Sequence, residues 1–439
     1  MAGVSTVEES VRTASLAVLA RNWRGSFTRA APRLYPHQWS WDSACVALAL
    51  AHYRQADAEA ELLSLFAGQW RNGLLPHIRF FDENAPYFPG PELWESRCSG
   101  DAPATPATSG IVQPPVHATA VLHQIEYAPD RERALRLARA LYPKLVAWHR
   151  YLHVERVRPG SPLVELWHPW ESGMDNSPLW DDALARLDTP EARPSYRRVD
   201  TTIADPRERP TDAEYDRYVD LVARQRDVAY DPASVREITP FAVRDVLFNS
   251  LLARADGDLA SIARWLGEDP AQPERWAGEL RAAIDSEMWS HEHHVYLDLD
   301  VITGRPIEVC TASGLAPLFA RACAPDRVAE LASAVERFCV GARGGPPVLA
   351  SLSPGDASFD PRRYWRGPVW PMLNWVVASG FRESGRVEIA ASLSDGLVRL
   401  VHEHGAFEQF NPLDGHGQGC AEVSWTAALA LDSCTSHVT

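Results

Sequence analysis

Helix-length segments of two kinds alternate along this chain. Residues 43–54, 116–127, 240–252, 311–322, 372–379 and 424–431 are apolar over most of their surface. Residues 7–23, 56–70, 130–152, 212–226, 259–266, 270–288, 325–340 and 384–403 repeat apolar positions every three or four residues, with charges between. That periodicity predicts amphipathic helices, whereas a segment apolar all round predicts a helix buried on every side. Only residues 295–301 read as strand-like. A long irregular loop, rich in Gly, Pro, aromatic and acidic residues, precedes the apolar segments, recurring near Trp39, Pro114, Ser177, Pro240, Thr311, Trp365 and Ser424. A short turn then leads to the more charged helix. No fixed period recurs, so a simple solenoid is not expected.

Apolar helices each followed by an amphipathic one describe a closed ring of helix pairs, apolar helices inside. The inner helices would then all start on one face, and the long loops would gather there to form a site. An open superhelix would not need such elaborate loops at one end only. The chain reads as one catalytic unit over residues 1–439, with a polar insert at about 182–212 able to cover that face.

Composition narrows the ligand. The 439 residues carry a net charge of −15 with no basic cluster, which disfavours nucleic acid and an anionic membrane surface. No run of about eighteen apolar residues predicts a membrane helix, and the N-terminus lacks a signal-peptide pattern. Seven cysteines, an odd number without a Cys-x-x-Cys, fit a reducing cytoplasm rather than a disulfide framework. Neither a cofactor nor a metal is expected, and the sequence leaves open whether the chain forms a homo-oligomer. His291-Glu292-His293-His294 looks metal-like but lacks a carboxylate partner at metal spacing and reads as a solvated turn. Sixteen tryptophans against thirteen phenylalanines point to an aromatic-lined pocket.

The richest loop runs from Trp167 to Trp180, with three tryptophans, a histidine and the acids Glu171 and Asp175. Gly173, Pro169 and Pro178 deny it helix or strand periodicity. Indole faces suit the apolar faces of sugar rings, and acids suit sugar hydroxyls and the glycosidic oxygen. Five loops could converge on one funnel. They carry Tyr35, Trp39, Trp41 and Asp42; His77, Tyr87 and Gln113; Trp170, Glu171, Gly173 and Asp175; Tyr364, Trp365 and Arg366; and Glu408. Glycoside hydrolysis needs one protonated carboxyl to donate to the leaving oxygen and one carboxylate to attack or to activate water. Asp175 and Glu408, far apart in sequence and each in an aromatic loop, are the candidate pair. Standing alone, each would read as a helix cap or a solvated acid.

Longer motifs carry a resemblance. Tyr35-Pro-His-Gln-Trp-Ser-Trp-Asp42, Gln69-Trp-Arg-Asn-Gly-Leu-Leu-Pro-His77, Gln113-Pro-Pro-Val-His-Ala118, Trp170-Glu-Ser-Gly-Met-Asp-Asn-Ser-Pro178, Asp212-Ala-Glu-Tyr-Asp216 and Tyr364-Trp-Arg-Gly-Pro-Val-Trp-Pro371 resemble the glucosylglycerate and mannosylglycerate hydrolases of glycoside hydrolase family 63. The resemblance spans about residues 35–425. It implies an (α/α)6 barrel and an inverting α-glycosidase, with Asp175 as general acid and Glu408 as general base. It implies an essential sugar-binding role for Asp42. Arg209 and Tyr215 match a mobile loop that closes over glycerate, where a guanidinium can clamp a carboxylate with two bonds. One departure bears on the leaving group: family members carry glutamines ahead of Ser424-Trp425, where this chain has Glu422 and Val423. The expected substrate is therefore a small glycoside, with glucosylglycerate or mannosylglycerate first. Another small glycoside is the alternative, and a catalytically silent sugar-binding protein is a third reading.

Overall fold

A computed structural model describes residues 2–81, 87–187, 196–341 and 344–435, the side chains of residues 2–5 excepted. Twelve long helices organise it: α1 (Ala2–Asn22), α2 (Ser40–Leu50), α3 (Gln55–Phe66), α4 (His117–Tyr127), α5 (Arg131–Glu155), α6 (Asp212–Asp227), α7 (Val246–Leu266), α8 (Ala271–Glu287), α9 (Pro325–Ala334), α10 (Pro371–Glu383), α11 (Val387–His404) and α12 (Ser424–Thr435).

The apolar helices form the inner ring. In α2 every residue but Asp42 is buried, and in α12 every residue up to Cys434 is. A helix that is apolar all round must be covered on all sides, and ring neighbours provide that cover. α2 packs on α4, α4 on α7, α7 on a 3₁₀ segment (Ala312–Leu318), that segment on α10, α10 on α12, and α12 back on α2. The ring closes where the first and last inner helices meet. The amphipathic helices lie outside. α5 buries Ala134, Leu137, Ala138, Leu141, Leu145, Trp148 and Leu152 at helical spacing against its inner partners. This is the (α/α)6 barrel.

Two expectations about elements need correction. Residues 246–252 of the first expected segment and 259–266 belong to a single helix, α7, while 243–244 form a short strand ahead of it. The polar stretch that read as a break lies inside it, because Asp256 is buried and accepts from His149 Nδ1 (2.7 Å) and His153 Nε2 (2.9 Å) on α5. The fourth inner position, expected as an α-helix over 311–322, is a 3₁₀ turn. Pro317 within it has no N–H to donate to an i−4 carbonyl. The strand-like residues 295–301 form two short strands, Val295–Tyr296 and Leu299–Asp300.

The N-termini of the inner helices share one face. Asp42 sits in the first turn of α2, Trp425 in that of α12, Gln113 just before α4 and Trp370 just before α10. All four line the same cavity.

Candidate active site

The loops at that face enclose a cavity, and fourteen of the seventeen residues expected from sequence line it: Tyr35, Trp39, Trp41, Asp42, His77, Tyr87, Gln113, Trp170, Gly173, Asp175, Arg209, Tyr215, Tyr364 and Glu408. Glu171, Arg366 and Trp365 do not. The Trp365 ring stacks behind Trp370, with centroids 4.0 Å apart and planes 4° off parallel, so Trp370 is the indole in the wall. The Trp365 backbone N–H instead donates to Asn176 Oδ1 (3.0 Å), tying its loop to the one that carries Asp175.

The loop from Trp167 to Trp180 is built differently from its reading as a surface loop with three ligand-facing indoles. Two short helical turns, Pro169–Ser172 and Pro178–Trp180, shape it. Trp167 and Trp180 are fully buried. Trp167 lies under the Arg156 guanidinium at 3.8 Å, and Trp180 Nε1 donates to Met174 O (2.7 Å). These two rings fasten the loop, and Trp170 alone of the three faces the cavity. Glu171 is likewise structural, paired with Arg156 and accepting from Trp167 N (2.7 Å). Gly173 ends the first turn at φ +74°, and a Cβ there would lie 2.5 Å from the Trp41 ring. Only glycine allows both that backbone and that approach.

Asp175 reaches the cavity from this loop, anchored through its carbonyl, which accepts from Tyr218 Oη (2.8 Å). Burial pushes its carboxyl up to about 7, opposed by Arg209 and reinforced by Glu408. Asp42 is also pushed up to about 7, chiefly by burial. His77 stacks on Trp170 (6.5 Å, 17°) and is held neutral, its pKa lowered to about 3 by burial and by His168.

Glu408 has the opposite surroundings. It sits at a bulge in the hairpin Phe407–Phe410/Gly417–Ala421, where the register slips between Phe407 and Gln409. Bulges re-aim side chains in this way. Its carboxylate accepts from Tyr35 Oη (2.7 Å), Tyr364 Oη (3.0 Å), Arg209 Nη1 (3.0 Å to each oxygen) and Cys420 N (3.4 Å). Tyr364 holds its place at φ +42°, a strained value for an aromatic residue. Gly419 lies opposite at φ +73°, where a Cβ would come within 2.3 Å of Glu408 Oε2.

Residues 196–212 of the insert cover this end. Val199, Asp200, Arg209 and Pro210 line the cavity. Arg198 binds Asp200 Oδ1 (3.0 Å), the Pro210 carbonyl (2.7 Å) and Asp212 (3.0 Å), and its guanidinium lies over Tyr215. Glu208 accepts from Gly419 N (2.9 Å), and Asp205 pairs with Arg362 (2.9 Å). The insert is thus tied to the loops of both Glu408 and Tyr364. Residues 188–195 lie outside the described residues. Arg209 supplies the only arginine among the described wall residues, facing Asp42, Asp175, Asp200 and Glu408. Besides Glu408 it binds Tyr35 Oη (2.8 Å) and Asp200 (3.3 Å).

A model of the mannosylglycerate hydrolase MGH1-like glycoside hydrolase domain matches residues 35–426. The chain belongs to this family of glycoside hydrolases. It is 44% identical to a mannosylglycerate hydrolase of Rubrobacter radiotolerans, with 97% of each chain covered. It is 39% identical to a glucosylglycerate hydrolase of Mycolicibacterium hassiacum, covering 94% of this chain and 95% of that one. The family 63 mannosylglycerate hydrolase of Thermus thermophilus, crystallised with Tris and D-glycerate, superposes with a TM-score of 0.90 at 44% identity, over 96% of this chain and 99% of that one. A yeast neutral trehalase shares the fold at 15% identity (TM-score 0.58).

Within this glycoside hydrolase, sequence reasoning missed Asp200, Phe88, Trp370 and Trp425 as wall residues. Both tryptophans stood within the matched motifs, but nothing in the sequence says which indole of Trp365 and Trp370 faces inward. Asp200 is one acid in a polar insert and gives no local signal. Arg366, grouped with the funnel residues, instead pairs with Asp181 and Glu214. The two residues of the departure separate as well. Glu422 turns outward to Arg21 (2.7 Å), while Val423 lines the cavity.

Proposed function

We propose that this glycoside hydrolase cleaves mannosylglycerate or glucosylglycerate with inversion of the anomeric carbon. One catalytic domain would carry the reaction, and the insert would act as its lid. Asp175 donates a proton to the glycosidic oxygen, and Glu408 takes one from the attacking water. The observation that carries this reading is the opposition of the two carboxyls within one cavity. Asp175 is raised to about 7, so a neutral solution keeps a large share protonated. Glu408 accepts hydrogen bonds from two tyrosines and an arginine, which hold its oxygens in place toward the cavity they share with Asp175. Such pairs of unlike environments mark acid and base assignments. Asp42, the aromatic walls and His77 hold the sugar ring.

The glycerate carboxylate requires a cation, and Arg209 is placed to meet it. Its guanidinium is bound to Glu408, Tyr35 and Asp200, so an incoming carboxylate must displace or share one of those partners. The remaining partners of the glycerate differ from a purely polar pocket at Val423, which offers no hydrogen bond. That side chain favours a second reading: the same chemistry on a small glycoside with a less polar leaving group. Incubation with mannosylglycerate, glucosylglycerate and neutral α-mannosides and α-glucosides, with free sugar as readout, decides between them. Turnover of a glycerate glycoside at least tenfold faster than of its neutral counterpart supports the first. Faster turnover of the neutral glycosides supports the second.

A further inference from the structure

At the opposite end of the barrel, three side chains from the ring's closing seam point their ligand atoms at one another. His52 follows the C-terminus of α2, His123 lies in the second half of α4, and Asp432 lies near the C-terminus of α12. The inner helices begin at the substrate cavity, so these positions lie about 9–18 Å farther along their axes, at a rise of roughly 1.5 Å per residue. His52 Nε2 and His123 Nε2 are 3.1 Å apart, and His123 Nε2 is 3.8 Å from Asp432 Oδ1. One ligand atom of each residue lies within 4.8 Å of the other two, the one such group of three found among the described residues.

We propose that His52, His123 and Asp432 form a structural site for a divalent transition-metal ion of the zinc type. Two imidazoles and a carboxylate are a donor set that suits such an ion, with water completing a tetrahedron. Ligands about 2.0–2.2 Å from a tetrahedral centre stand roughly 3.3–3.6 Å apart. The two spacings at His123, 3.1 and 3.8 Å, bracket that range, and all three ligand atoms lie within 4.8 Å of one another, so an ion would draw the side chains together by modest movements. A hydrogen bond between the two rings accounts for the 3.1 Å contact, but it leaves Asp432 Oδ1 beyond bonding distance of His123. The orientation of Asp432 is fixed from behind, where its Oδ2 accepts from Trp375 Nε1 (2.8 Å), as metal-binding carboxylates usually are. Arg254 approaches the cluster but is engaged by Asp258 (2.9 Å) and by Glu383 (2.5 Å). His52 is half-buried, which leaves a route for an ion from solvent.

The position gives the ion a purpose. α2 and α4 are the first two inner helices and α12 is the last, so a metal here would pin the chain's two ends together at the seam. It would stabilise the fold without touching the reaction.

The test uses the full chain, stripped with EDTA, freed of chelator and titrated with Zn²⁺ or Co²⁺. One equivalent should bind with a Kd of about 1 μM or tighter. Co²⁺ should give the intense visible bands of a tetrahedral ion, and Tm should rise by several degrees at saturation. His123→Ala and, separately, Asp432→Asn should weaken this binding at least tenfold. His294→Ala, in the exposed histidine turn, should leave it unchanged, and turnover should be the same with and without metal. Should His123→Ala fail to fold, the half-buried His52→Ala offers the same comparison. In the wild type, bound metal should also protect His52 and His123 from diethylpyrocarbonate, read by peptide mass. Absence of any equivalent tighter than about 100 μM, binding lost equally in His294→Ala, or no protection of the two rings would overturn the proposal.

Discussion

Asp175 and Glu408 line one cavity, yet the chain builds their surroundings in contrary ways. Asp175 stands at the end of a tryptophan-fastened loop, where burial dominates and raises its pKa to about 7. Glu408 stands on a bulged hairpin, where Tyr35, Tyr364, Arg209 and the Cys420 N–H converge on its oxygens. Desolvation favours the neutral acid, and donated hydrogen bonds favour the anion. Two carboxyls of similar intrinsic acidity are thereby assigned different work by what packs around them. The same contrast marks the two ends of the barrel. The loop end stores buried acids, a strained Tyr364 and close-approach glycines, while the opposite end gathers His52, His123 and Asp432 at the seam.

The largest effect that would break the comparison is loss of either carboxyl. Asp175→Asn and Glu408→Gln keep shape and lose proton transfer, so each should lower kcat by about 10²–10⁴-fold with an unchanged circular dichroism spectrum. Near-wild-type turnover in either would remove that residue from its role.

Gly419→Ala tests how far the setting of Glu408 matters. The new methyl group would collide with Glu408 Oε2 in a backbone that disfavours side chains. A displacement of about 1 Å at the base should cost on the order of 10²-fold in kcat. A loss confined to KM would show that Glu408 binds rather than reacts.

Arg209→Ala comes next. Loss of a charge pair to the substrate costs roughly 2–5 kcal/mol, so kcat/KM on a glycerate glycoside should fall at least tenfold. On a neutral glycoside of the same sugar the loss should be much smaller. Equal losses would mean that Arg209 serves Glu408 and the lid rather than the carboxylate.

The pH profile sharpens the contrast more gently. Asp175 must be protonated to donate, so activity should be present below, and fall as pH rises through, about 7. Arg209 lowers this pKa and Glu408 raises it. The alkaline limb should therefore move up in Arg209→Ala and down in the residual activity of Glu408→Gln. An unmoved limb in both would detach it from Asp175.

Stability should show the smallest effect. A carboxyl whose folded pKa is raised costs stability, beginning as pH rises past the unfolded value near 4 and complete above about 7. Asp175→Asn escapes that cost and should raise Tm by a few degrees at pH 8, with the difference vanishing near pH 4. A lower Tm at pH 8 would show that the charged group is well solvated.

Much of this arrangement was legible in the sequence because it is written in local patterns. Apolar and amphipathic helices alternate, and acids stand among aromatics in Gly- and Pro-shaped loops. What escaped was set by tertiary contact. The polar residues between 252 and 259 separate two expected helices, but Asp256 among them is buried against His149 and His153 of α5 and the helix runs on. Trp365 and Trp370 are equivalent in sequence, and only their stacking shows which one is outermost. Trp167 and Trp180 look like ligand platforms but fasten their loop. Asp200 joins the cavity only because the insert folds back over the ring. The Arg209–Glu408 pair links residues from the insert and the last hairpin, and no local rule could have joined them.

The stereochemistry of the first-formed sugar tests the division of labour between the two carboxyls most directly. If Asp175 protonates the leaving oxygen while Glu408 activates a water on the far side of the ring, an α-glycoside must give the β-anomer first. Proton NMR recorded from the start of turnover, before mutarotation, should show the β-anomeric signal rising ahead of the α. An α-anomer formed first would mean retention through a covalent intermediate and would contradict the assignment of Glu408 as general base.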